Sequence, residues 1–79
     1  MKVTVLYFAK LREERGLSKE TIEIEPSTAS GLYEYLKAKY QFSMTTCLLK
    51  VAINDEFSSW DTELSENDSI AFIQPVAGG

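Results

Sequence analysis

Residues 69–79 read SIAFIQPVAGG, and the arrangement of the rest of the chain follows from them. Ser69 to Gln74 is predicted to be a strand. Side chains of a strand alternate between two sides, so Ile70 and Phe72 fall on one face and Ala71 and Ile73 on the other. Both faces are apolar. Pro75 fixes its own φ and has no N–H to donate, so the strand stops there. Val76, Ala77, Gly78 and Gly79 follow. The two glycines lack a Cβ, which lets their backbone enter a slot too narrow for any side chain. The expectation is a rigid body over residues 1–74 that presents an extended tail, residues 75–79, with the Gly79 carboxylate as its end group. A frayed terminus is the plain alternative for a glycine pair taken by itself.

Working outward, Lys2 to Ala9 (KVTVLYFA) is the other segment with two apolar faces. It is rich in strand-forming residues, with Val3, Val5 and Tyr7 on one face and Thr4, Leu6 and Phe8 on the other. Either a central strand covered on both sides or a strand with one face kept for a partner reads this way. Lys10 to Arg15 can form one or two helical turns, with Gly16 as a left-handed stop. Lys19 to Glu25 alternates cleanly, with Ile22 and Ile24 inward. After Pro26, Thr28 is placed to cap a helix over Ala29–Tyr40, in which Ala29, Leu32, Tyr33, Leu36 and Tyr40 recur at helical spacing. Cys47 to Ile53 is predicted as a strand, Asn54 to Glu56 as a turn, Phe57 to Trp60 as a short extended piece, and Asp61 to Asp68 as a polar loop anchored by Leu64.

This order contains one helix long enough to cover a sheet. The first and last strands, apolar on both faces, belong at the sheet's centre and in parallel. The fold class is therefore α+β: a ubiquitin-like β-grasp roll, with a mixed sheet of about five strands and one main helix.

The chain's 79 residues suit one small domain. No apolar run approaches the roughly 20 residues of a membrane span. The N-terminal residues lack the pattern of a secretion signal. A lone cysteine, Cys47, fits a reducing setting, and a small buried apolar role is expected for it. A cytoplasmic location follows as an expectation. Residues 1–40 carry seven basic and six acidic side chains, whereas residues 41–79 carry six acidic ones and only Lys50 as a base. Nucleic acid is thus not an expected partner, since phosphate binding needs clustered cations. An acidic half next to the tail suggests a basic partner protein; a merely solvated acidic surface is the alternative. Trp60 is expected to pack at a sheet edge rather than to anchor a partner.

With no histidine and one cysteine, the sequence offers no general base of the usual kind, no metal site and no activated thiolate pair. No bound cofactor is expected. The distinctive group is the Gly79 carboxylate. A carboxylate is a poor electrophile until it is activated, for instance when a partner enzyme converts it to an acyl-adenylate with ATP.

The opening VTVLYFAKLR of Val3–Arg12, the segment AINDEF of Ala52–Phe57 and above all DSIAFIQPVAGG of Asp68–Gly79 resemble the small subunit of molybdopterin synthase. Gln74 departs from the family, which usually has a second proline there. The resemblance implies a sulfur carrier that is not an enzyme on its own. Its terminal glycine, here Gly79 with Gly78 as a slender neighbour, is adenylated by a ubiquitin-activating-type enzyme. A sulfur-donating enzyme then supplies the sulfur of a thiocarboxylate. The tail, including Pro75, Val76 and Ala77, inserts into the large synthase subunit within a heterotetramer and donates sulfur to cyclic pyranopterin monophosphate. The family's contact face maps onto Phe8, Phe57 and Ile73, and Leu6 shares the face of Phe8 and Ile73 by alternation. Another sulfur carrier of the same fold, such as one serving thiamine synthesis, or a ubiquitin-like protein modifier would read similarly.

Overall fold

The computed structural model of the chain describes residues 1–75. Strand β1 spans Lys2–Tyr7, helix α1 Ala9–Arg15, β2 Lys19–Glu23, α2 Ala29–Tyr40, β3 Lys50–Ile53, β4 Glu56–Ser58 and β5 Ser69–Ile73. The sheet order is β2-β1-β5-β3-β4. β1 and β5 run parallel, pairing Val5 with Ile70 and Tyr7 with Phe72, and every other neighbouring pair is antiparallel. The chain has the ubiquitin-like β-grasp fold, with β5 at the centre of the sheet.

Local chemistry sets the elements. Gly16, at φ +82°, takes the left-handed conformation that ends α1, and its N–H donates to the Arg12 carbonyl. The Thr28 side chain accepts a hydrogen bond from the Gly31 N–H at 3.1 Å, capping α2 as its sequence position predicts. One face of the sheet, with Val3, Val5, Tyr7, Val51, Ile70 and Phe72, is buried with Leu32, Tyr33 and Leu36 of α2 in a single core. Tyr33 satisfies its buried hydroxyl by donating to the Met44 carbonyl at 2.6 Å, and burial pushes its pKa up to about 12. Leu64 is buried and its N–H donates to the Ser27 carbonyl, so the loop over residues 61–68 is pinned as expected. Trp60 stacks on Phe72 at 5.9 Å and meets Tyr33 edge-on, packing against the core just beyond β4, the edge strand.

Three expectations fail. Cys47 is exposed, not buried. Residues 46–48 form a single 3-10 turn, and the strand begins only at Lys50; Leu49 takes the buried position instead. Apolar runs of this length do not reveal their own period. The two N-terminal strands are also shorter than their alternation suggests, because Ala9 (φ +48°) turns the chain out of β1 and β2 ends at Glu23.

A polar cluster closes the tail end of the core. Arg15 forks onto Glu20 at 2.7 and 2.9 Å, Tyr7 donates to the same carboxylate, and the Arg15 guanidinium lies 4.0 Å from the centre of the Tyr40 ring. Burial and the Glu20 hydrogen bond push the Tyr7 phenol well above its ordinary range. The Arg15 hydrogen bond holds the Glu20 carboxyl below the usual carboxylate range. A depressed folded-state pKa contributes stability above the unfolded-state value, near 4.3, and this is lost as pH falls through the lower folded value. Glu20→Gln is therefore expected to remove part of the loss of Tm that acidification from about pH 5 causes in the parent. Parallel pH–Tm curves for the two proteins would contradict this.

Candidate functional site

The sheet face opposite α2 carries the candidate site. Its register stacks Leu6, Ala71, Ala52 and Phe57 in one row across β1, β5, β3 and β4. The next row toward the C-terminal end of β5 holds Ile73 beside Lys50. Phe8 follows Tyr7 in an extended conformation (φ −133°, ψ 154°), which continues the alternation so that it follows Leu6 on this face. Phe8 is 44% and Phe57 70% exposed, and Leu6 and Ile73 are half-buried. Ala52 and Ala71, 7% and 8% exposed, form the floor between the larger side chains.

The structure thus brings Leu6, Phe57 and Ile73 onto one face, with Phe8 at its margin. Ala52 and Ala71 were missed as members of the patch. Alternation puts Ala71 on this side, but only strand order shows that the two alanines are neighbours. Pro75 is exposed beyond the end of β5, while Val76, Ala77, Gly78 and Gly79 lie outside the described residues.

The charge pattern departs from the sequence expectation. Asp55 and Glu56 follow Ile53, which pairs with Ile70 near the start of β5, and Glu66 and Asp68 directly precede that start. Asp68 is tied to Asn54 at 2.9 Å, and Glu66 accepts from the Lys2 N–H at 3.1 Å. These carboxylates therefore lie at the opposite end of β5 from Pro75. They are near the tail in sequence but not in space, because a strand carries its two ends apart. At the tail end the same face shows Lys19, paired with Leu6, and Lys50, paired with Ile73.

Among the described residues no group of His, Cys, Asp or Glu could hold a metal ion. Nor is any helix long and apolar enough to cross a membrane.

Comparison with known proteins supplies the deciding observation. The model of the ThiS family matches residues 5–79. The chain belongs to the ThiS family. It is 35% identical over 82 residues to the molybdopterin synthase sulfur carrier subunit of Mycobacterium tuberculosis, covering 100% of this chain and 99% of that one. Among solved structures, a molybdopterin converting factor subunit 1 from Pyrococcus furiosus superposes with a TM-score of 0.81 at 30% identity, over 96% of this chain and 99% of that one. A second neighbour comes from a protein–protein complex of subunits 1 and 2 of the molybdopterin-converting factor of Helicobacter pylori. It has a TM-score of 0.70 at 25% identity and covers both chains fully.

Proposed function

We propose that this chain is the sulfur-carrier subunit of a molybdopterin synthase. The observation that carries the reading is the open apolar face of Leu6, Ala71, Ala52 and Phe57, which adjoins the end of β5 where the tail begins. Kinship with a sulfur carrier subunit and with one member of a two-subunit complex supports it. In this reading a Gly79 carboxylate oxygen attacks the α-phosphorus of ATP on a ubiquitin-activating-type partner, releasing pyrophosphate. Sulfur at the sulfide level, supplied by a sulfur-donating enzyme, then attacks the acyl carbon and AMP leaves, giving the thiocarboxylate. If the donor is an enzyme persulfide, the acyl disulfide first formed is reduced by a thiol, which breaks its S–S bond and ends as a disulfide. The open face docks on the large subunit, and the tail delivers sulfur to cyclic pyranopterin monophosphate. The chain itself supplies placement, not catalysis, and ATP is bound by the activating partner.

The test is intact-mass detection of oxygen-to-sulfur exchange after incubation with ATP, the adenylating enzyme and a sulfur source. Large subunit and pterin precursor are then added. Dithiolene product confirms the reading. A thiocarboxylate that transfers nothing to the pterin assigns the carrier to another pathway, and an isopeptide bond to a target lysine makes it a protein modifier.

Docking has its own consequence. Phe8→Arg adds charge at an exposed position outside the core, so melting should change little. The cost of placing a cation against an apolar partner surface should weaken large-subunit binding by at least about tenfold, since burying one such side chain is worth roughly 1.5–3 kcal/mol. An unfolded variant, or unchanged affinity, would remove Phe8 from the docking face.

A further inference from the structure

Lys50 has no role in the reading above, and its position is unusual. Lys19 lies on the edge strand β2, where a lysine ordinarily discourages edge-to-edge pairing. Lys50 lies on β3, an inner strand, and pairs with Ile73, the last residue of β5. It is exposed, and no carboxylate among the described residues forms an ion pair with it. Beside it the tail ends of β3 and β4 border an open hollow of about 280 Å³. Lys50, Phe57, Ser58, Ser59 and Trp60 line this hollow, and Lys50 is its only charged lining residue. The carboxylates at the other end of β5 do not neutralise it. Asp68 is five residues along the strand from Ile73, about 16 Å, and Glu56, paired with Ile53, is three residues from the level of Lys50, about 10 Å. Both distances exceed the screening length of about 8 Å at physiological ionic strength.

We propose that this hollow receives an acidic side chain of the large synthase subunit, with Lys50 as its counter-charge. The inference rests on the proposed function. The partner's carboxylate enters between the Phe57 ring and the Ser58–Ser59 edge, and its aliphatic stem lies against Phe57 and Trp60. An apolar patch alone permits several orientations of a partner; one charge pair beside Ile73 selects the orientation that sets the tail root at the channel mouth. Lys50 is thus a positioning residue. Its partner is acidic, opposite in sign to the one the sequence's charge balance suggested.

The experiment measures association of the unaltered chain, Lys50→Glu, Lys50→Arg and Glu66→Lys with the large subunit at low and high salt. Each variant is also checked by a melting curve. Lys50→Glu is expected to associate about tenfold more slowly at low salt, with the gap narrowing at high salt. Lys50→Arg should restore the rate, and Glu66→Lys, at the far end, should not slow it. In the 15N-labelled chain, the indole N–H signal of Trp60, the only tryptophan, should shift on complex formation. It should shift less with Lys50→Glu at saturation. Unaltered rates and an unmoved Trp60 signal in an otherwise normal complex overturn this inference alone. Failure of the unaltered chain to bind the large subunit overturns the proposed function with it.

Discussion

Deleting Gly79 is expected to abolish thiocarboxylate formation while leaving the melting curve unchanged. The deletion still leaves a terminal carboxylate, but one residue, about 3.3–3.6 Å, short of its place in an extended tail. Misplacement by about 1 Å can already cost about 10²-fold in rate, so this loss should be close to complete. Gly78→Val should fail for a different reason: in the proposed reading its two methyl groups would have to enter a slot proportioned for glycine. Adding a residue after Gly79 should fail as well, by moving the carboxylate beyond the site. Activation is read by intact mass and stability by thermal melting. Efficient exchange in the Gly79 deletion would show that activation does not depend on tail length, and the proposed role of Gly79 would fall.

The second large effect concerns two phenylalanines on opposite sides of one sheet. Phe72 is fully buried, stacked on Trp60 and edge-on to Tyr33 at 5.0 Å, whereas Phe57 is 70% exposed. Phe72→Ala leaves a cavity in the core and should cost about 3–5 kcal/mol. For a domain of this size that lowers Tm by about 12–40 °C. It approaches the whole stability available to so small a core. Phe57→Ala should change stability by no more than about 0.5 kcal/mol, as an exposed substitution, yet weaken the complex with the large subunit. Equal destabilisation by the two changes would mean that the Phe57 face is not open in the free chain.

Much of this was legible in the residues. Thr28 and Gly16 announced a helix start and a helix stop because each supplies a specific local need: an oxygen acceptor for a free N–H, and a backbone free to adopt φ > 0. The double apolar alternation of residues 2–9 and 69–74 identified β1 and β5 as adjacent inner strands, since one apolar face packs under α2 and the other forms the open patch. Cys47 was misplaced because the apolar run over residues 47–53 has no period that separates a turn from a strand.

By itself, then, the sequence determined the element order, the β-grasp class, the two apolar faces of β5 and the resemblance to sulfur carriers carried by the glycine-ended tail. These follow from periodicity, capping and local chemistry, which act over a few residues. Tertiary structure alone decided which side chains meet across strands. It set Ala52 and Ala71 between Leu6 and Phe57, moved the acidic residues near the tail in sequence to the far end of β5, and left Lys50 beside Ile73. The physical reason is that register is set jointly by several strands, and a strand carries its two ends apart. Closeness along the chain therefore says little about closeness at a surface.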